Sequence, residues 1–326
     1  MLSCVAFKVE SHVPHALRSA AVCPRSARLL QGEGSVNTAL DDLRSYLGRT
    51  VGMRLEPGQA CYAENRLAAL MRAPEGASIS RLLARLDPDG SGPLARELIE
   101  ALTCRESWFF RDRTPFVDFA QRQAGILAAR LAKMKTLRVW SAGCASGQEA
   151  YSLAICLRQL RALFLDWRVE IIGTDLSGSL IERARSGAFS HAEIQRGLPV
   201  RTLLAEVEQL PEPEGYPWRM RQHLREAVSF RAHNLLDDCQ DLGMFDVIFC
   251  RNVLGSMHPA AQRTVIANIT GQLAEGGFLV LGRTETPWSL AASFTACGEG
   301  QGIFERRRYP LSRAAKTSHL RLVVSH

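Results

Sequence analysis

Two glycines and a carboxylate, Gly143, Gly147 and Glu149, stand in the run LRVWSAGCASGQEAYSLAI, where an apolar segment passes through small residues into an alternating pattern. Glycines in such a turn permit left-handed backbone and close approach of a ligand. The following helix start presents free N–H groups to an anion or polar ligand. A second carboxylate, Asp175, ends the apolar run WRVEIIGTD, 32 residues after Gly143. There it can accept hydrogen bonds from both hydroxyls of a ribose, as acidic residues do in doubly wound nucleotide-binding folds. It can equally cap the helix that SLIERARSG predicts. The chain has neither a G-x-G-x-x-G loop nor a Walker lysine. A cofactor with a ribose and no phosphates fits that absence. S-adenosylmethionine is such a molecule, and its amino group and sulfonium favour a carboxylate such as Glu149 nearby.

Those residues need strands and helices to hold them. LRVWSA, WRVEIIGTD, FDVIFC and GGFLVLG read as four strands and AVSFRAHNLL as a fifth, with intervening stretches long enough for crossover helices. Such alternation predicts an α/β fold with a largely parallel sheet, ligands binding beyond the carboxyl ends of the strands. Before it, ALDDLRSYLG, AENRLAALMR and ISRLLARL carry helical periodicity broken at EPGQ, APEGAS and DPDGSGP, which predicts a small bundle of about four helices. PFVDFAQRQAGILAARLAKM reads as a longer helix leading into the second region. The expected divisions are a poorly ordered extension over 1–34, a helical domain with linker over 35–115, a Rossmann-like domain over 116–309 and a basic tail over 310–326.

Composition narrows the class. The 326 residues, 46% hydrophobic and 22% charged, describe a globular chain. Nine scattered cysteines without a C-x-x-C pair read as reduced packing residues of a cytoplasmic protein, and the histidines show no metal-ligand spacing. No apolar run is long enough to span a bilayer, and the first residues lack a signal-peptide core. The net charge of +7 is uneven, with six Lys/Arg against one Asp/Glu in residues 305–326 and 16 against 18 in residues 135–304. Basic character therefore sits outside the middle of the chain, as a solvated face or as a surface for an acidic partner, and no nucleic-acid motif accompanies it.

Five stretches occur in an order and spacing that resemble one family, over roughly residues 40–308: TCRESWFFRD, VWSAGCASGQEAYSLAI, IIGTDLS with IERARSGAFSHAEIQRGLP, VSFRAHNLL, and FDVIFCRNVL. The chain is similar to the CheR-type chemoreceptor glutamate methyltransferases. The resemblance implies a Rossmann-like S-adenosylmethionine-dependent methyltransferase domain, a small all-α N-terminal domain, and a small β insertion expected within Leu203 to Arg225. It implies methyl transfer to glutamates on the acidic helical coiled coil of a chemoreceptor's cytoplasmic domain, leaving S-adenosylhomocysteine. Carried over by position, the cofactor contacts are Ser107, Arg111, Glu149, Asp175, Asn234, Leu235, Arg251 and Asn252, beside the turn glycines Gly143 and Gly147. Arg111 is also the candidate catalytic residue, able to hold the attacking carboxylate. The nearby Trp108, Phe109 and Phe110 read as interdomain core.

The chain departs from the family pattern in three places. Cys104 and Arg105 stand where a threonine and an asparagine are usual. Gly255, Ser256 and Met257 follow RNVL where a hydrophobic residue, tyrosine and phenylalanine are usual. Arg66 and Arg72 keep part of a basic docking face, with Gln59 at a common lysine position. These departures leave an alternative in which the chain binds the cofactor or its product as a regulatory or scaffolding module. The basic tail also permits a small-molecule or nucleic-acid substrate.

Overall fold

The computed structural model describes residues 33–72, 78–87, 92–103, 106–211, 215–297 and 302–308. The basic tail and nearly all of the N-terminal extension lie outside them, as do Cys104, Arg105 and the side chain of Arg72. The first helix, α1 (Glu33–Val51), starts two residues inside the stretch expected to be an extension. It is followed by α2 (Ala60–Leu67), α3 (Ile79–Ala84) and α4 (Pro93–Leu102). In α4, Pro93 occupies the first turn, where its missing N–H costs nothing. Ala95, Leu98, Ile99 and Leu102 recur at helical spacing, and all four are buried. Leu98, Ile99 and Leu102 meet Leu43 and Leu47 of α1 and Leu67 of α2 in a separate apolar core.

The predicted long helix is present with a defect. Helices α5 (Thr114–Asp118) and α6 (Ala124–Leu131) are joined by one π-helical stretch over Phe119–Gln123, so the axis continues while the side-chain register shifts. Strand β1 (Thr136–Ala142) then leads into α7 (Gln148–Gln159), and β2 (Arg168–Asp175) into α8 (Gly178–Ser186). Next come β3 (Ala188–Phe189), α9 (His191–Gln195), α10 (Val200–Glu206), β4 (Val207–Gln209), β5 (Trp218–Met220), α11 (Gln222–Glu226) and β6 (Val228–Ala232). The chain ends with β7 (Phe245–Cys250), α12 (Pro259–Gly271), β8 (Leu273–Leu281), β9 (Phe294–Ala296) and β10 (Ile303–Arg306).

The main sheet has seven strands in the order β6-β2-β1-β7-β8-β10-β9. The first five are parallel, as expected, while β10 and β9 add an antiparallel edge that the sequence reading lacked. Alternate residues of the central strands feed two cores. Leu137, Val139, Val247 and Phe249 pack beneath α5, α6 and α7, whereas Trp140, Ala142, Ile248 and Cys250 pack beneath α12. The insertion is a three-stranded sheet, β3-β5-β4. Its first strand, Ala188–Phe189, lies before the expected range, because the chain turns straight from α8 through left-handed Gly187 into the sheet.

The helical domain is fastened to the elements around the sheet by hydrogen bonds to their backbone. Arg54 N donates to Ser256 O (2.8 Å), His258 N to Gly52 O (2.9 Å), and Ser179 N to Glu100 Oε1 (3.1 Å).

Candidate active site

The strand order reverses between β1 and β7, and in open α/β sheets such a reversal opens a crevice at the strands' carboxyl ends. Gly143 (φ 78°) and Gly147 (φ 94°) make the turn from β1 into α7 in left-handed conformations. A Cβ on Gly143 would lie 2.4 Å from Val253 Cγ2, and one on Gly147 3.0 Å from Ala184 Cβ. Neither position tolerates a side chain without movement of the loop after β7 or of α8.

Glu149, in the first turn of α7, is buried and heads a chain of polar contacts. Ser141 Oγ donates to its Oε1 (2.8 Å), and Arg251 Nη1 reaches its Oε2 (3.4 Å). Arg251 Nη2 donates to Asp112 Oδ2 (2.6 Å). Burial pushes the Glu149 carboxyl above its ordinary range, and the charge of Arg251, the Ser141 hydroxyl and the charge of Arg111 oppose it. The Arg251 side chain is only 1% exposed, and its Nε is buried without a partner among the described residues. That donor points to a group still to be supplied. Asp112 belongs to a strained segment, since Phe110 (φ 50°), Asp112 (φ 63°) and Arg113 (φ 46°) are all left-handed. The Phe110 N–H on Ser152 Oγ (2.9 Å) and the Arg251 pair hold it in place.

Asp175 braces the same turn from β2. Its Oδ2 accepts from Ala145 N (2.9 Å) and its Oδ1 from Ser177 N (3.0 Å). The helix cap itself is Ser177, whose Oγ accepts from Leu180 N (3.2 Å), so the capping alternative for Asp175 falls away. Each Asp175 oxygen retains a second lone pair that a hydroxyl can use. Burial raises the Asp175 carboxyl, and the backbone donors moderate that rise. We expect Asp175→Ala to weaken cofactor binding by about 1.5–3 kcal/mol, the range for hydrogen bonds to a charged group. Titration calorimetry reads this directly, and unchanged affinity in a folded variant would confine Asp175 to bracing the turn.

The other expected residues are distributed unevenly. Asn252, just past β7, is exposed and left-handed (φ 59°), a conformation asparagine accepts readily. The Asn234 carboxamide ties α1 to this loop: Nδ2 donates to Thr50 O (3.1 Å) and Oδ1 accepts from Leu236 N (3.2 Å). Leu235 is buried in the core under α12. Ser107 is half-buried on the linker. Arg111 donates from Nη1 to Glu106 O (3.3 Å), and its guanidinium lies 4.2 Å from the Trp108 ring centroid. Trp108 is therefore not interdomain core, although Phe109 is fully buried.

Ser256, where the family pattern has a tyrosine, is exposed and turns its hydroxyl onto Val253 O (2.8 Å). Met257 packs into the core and pairs with Met53. Arg66 is exposed and donates to Ala101 O (2.6 Å) at the end of α4. Glu285 went unnoticed in the sequence. It is buried after β8, its Oε2 accepting from Asn252 N (2.8 Å) and Gly282 N (2.7 Å) and its Oε1 from Gly255 N (3.1 Å). An acidic residue just beyond the carboxyl end of a parallel strand, as at Asp175, was the available signal.

Residues 105–302 match the family described as CheR methyltransferase, SAM binding domain. The chain belongs to the CheR methyltransferase family. A chemotaxis protein methyltransferase 1 of Pseudomonas aeruginosa is 32% identical over 84% of this chain and 99% of its own length. Chemotaxis protein methyltransferase Cher2 of Pseudomonas putida is 30% identical over 76% and 90%. The CheR match makes S-adenosylmethionine the cofactor, and the donor set fits it: two buried carboxylates, Asp175 at the end of β2 and Glu149 in the first turn of the helix that follows the adjacent β1, suited to a ribose and an ammonium. When bound, the cofactor supplies an electrophilic methyl on a sulfonium. Among the described residues no group of three His, Cys, Asp or Glu stands close enough to hold a metal ion, and no helix is long and apolar enough to cross a membrane.

Proposed function

We propose that this CheR methyltransferase esterifies glutamate side chains on the acidic, helical coiled-coil cytoplasmic domain of a chemoreceptor, using the carboxylate itself as nucleophile. Such a carboxylate, with a reference pKa of about 4.3, is anionic at neutral pH, so the enzyme needs no general base. The transfer breaks the carbon–sulfur bond with its pair left on sulfur and forms a carbon–oxygen bond from a carboxylate lone pair; no proton moves. The absent tyrosine at position 256 thus removes no obligatory proton carrier. The chain's own part is to hold Asp175 and Glu149 toward the cofactor, exclude water, and align the incoming carboxylate.

The observation that carries this reading is Arg111, a guanidinium 4.2 Å from the Trp108 ring centroid whose charge acts on the buried Glu149, and which makes no salt bridge among the described residues. A planar fork holds a carboxylate bidentately, which lysine's point charge does not. Arg111→Lys should lower kcat by about tenfold, out of the ~7–11 kcal/mol that alignment can supply in favourable cases, while cofactor affinity stays within about twofold. Equal losses in both constants would move Arg111 to the cofactor's carboxylate. For the reaction itself, label from a methyl-tritiated cofactor should appear on a receptor cytoplasmic fragment and be released by mild alkali. Alkali-stable label would rule out an ester.

A further inference from the structure

Arg111 is not alone on its tryptophan. Arg196, the residue just after α9, places its guanidinium 3.9 Å from the same ring centroid. Both guanidiniums therefore lean on the one indole, at 3.9 and 4.2 Å from its ring centroid. The linker and the insertion touch at this point. Gly197 is left-handed (φ 93°), and a Cβ there would fall 1.9 Å from Phe109 O. Backbone contact on one side and the indole on the other thus fix where Arg196 can stand.

The carboxylates that would neutralise these arginines are already engaged. Asp112, next to Arg111, is taken by Arg251. Glu193, one turn before Arg196, pairs through Oε1 with Arg183 and Gln148 Nε2 and accepts through Oε2 from Ser190 N and Oγ (2.9 Å each). Neither Arg111 nor Arg196 has an ion-pair partner among the described residues. Arg196 is exposed, Trp108 and Arg111 half-buried. The pattern is a pair of cations on one indole with no salt bridge of their own among the described residues, Arg111 acting on the buried Glu149, which already pairs with Arg251. The TCRESWFFRD stretch resembles the family at Ser107, Phe109, Phe110 and Arg111, whereas the family pattern leaves the position of Trp108 open.

We propose that Arg111 and Arg196, both held against Trp108, form a paired carboxylate-reading site in which Arg111 takes the glutamate to be methylated and Arg196 a second acidic residue one helical turn away. This rests on the proposed protein substrate. The spacing suits it, because side chains four apart on a helix have Cβ atoms about 5–6 Å apart and glutamates reach outward from there. Arg196 then sets which acidic helix is accepted, and Trp108 is a positioning residue that holds both cations face-on.

The test uses the full chain and two synthetic helical peptides, one with two glutamates a turn apart and one with the second replaced by glutamine, at low ionic strength to limit screening. Arg196→Ala should weaken binding of the two-glutamate peptide by about tenfold, or ~1.4 kcal/mol, and leave the glutamine peptide unchanged. Trp108→Leu, which releases Arg111 as well as Arg196, should weaken both peptides, the two-glutamate peptide more, and Trp108→Phe, which keeps a π face, should recover most of both losses. S-adenosylhomocysteine affinity should be the same in all four proteins. Equal loss for both peptides, no loss for either, or a fall in S-adenosylhomocysteine affinity with Arg196→Ala would overturn the assignment. Selective binding by wild type without ester formation would instead remove the proposed reaction and leave the paired site standing.

Discussion

Arg251→Met is expected to cost about 3–5 kcal/mol of stability, the range for breaking a buried pair by removing one partner. The substitution leaves Glu149 buried without its cation and releases Asp112 from the strained linker. Because Glu149 already titrates above its ordinary range, the loss should depend on pH. A carboxylate whose folded pKa is raised contributes stability that is present below the unfolded value and lost as pH rises through the folded one. Removing Arg251 raises that folded value further, so the variant's deficit against wild type should be small near pH 5 and largest near pH 8. Urea melts at the two pH values read the difference. A deficit that does not grow with pH would show that Glu149 is not the residue left uncompensated. Cofactor affinity should fall as well, since the group meant to meet the ammonium is then held less firmly.

Glu285→Ala should be nearly as damaging, at about 3 kcal/mol. Three backbone N–H groups lose a charged acceptor, at about 1–3 kcal/mol each when left unmet, and water can reach those of exposed Asn252 and Gly255. The loop that carries Arg251, Asn252 and Ser256 is then held by fewer bonds, so kcat/KM should drop by more than the stability loss alone predicts. Glu285→Gln, which keeps one accepting oxygen, should recover part of both. A variant whose activity follows only its folded fraction would mean that Glu285 stabilises the loop without positioning it. In a domain of this size, each kcal/mol corresponds to about 2–4 °C in Tm, so a thermal melt resolves the expected change.

The legible parts of this molecule were those whose cause is local. The central parallel strands β1, β7 and β8 could be read because strands buried on both faces must be nearly continuous apolar runs, and the edge strand β6 because its apolar residues alternate. Gly143, Gly147, Glu149 and Asp175 were visible because a strand–turn–helix places them within a few residues of a strand end. The antiparallel edge strands β9 and β10 and the two- and three-residue strands of the insertion are too short for any periodicity to show. Contacts between distant residues were equally hidden. Arg251 meets Glu149 across 102 positions and Asp112 across 139, and no pattern in either segment encodes the other. Trp108 was misjudged for a physical reason: of three adjacent aromatics only Phe109 fits the fully buried slot, which leaves the indole for Arg111 and Arg196. The bond from the Asn234 carboxamide to Thr50 O, which joins two parts of the chain 184 residues apart, was hidden in the same way.

The most direct test of the account is to locate the transferred methyl. A receptor cytoplasmic fragment is incubated with deuteromethyl-labelled cofactor and wild type, Asp175→Ala or Arg111→Lys, and its peptides are sequenced by mass spectrometry. The account predicts the label on glutamate side-chain carboxyls with wild type. At limiting cofactor it predicts at least about tenfold less with Asp175→Ala, as the expected binding loss requires, and a slow reaction at saturating cofactor with Arg111→Lys. Label on lysine or any other nitrogen, or equal labelling by all three proteins, would contradict it.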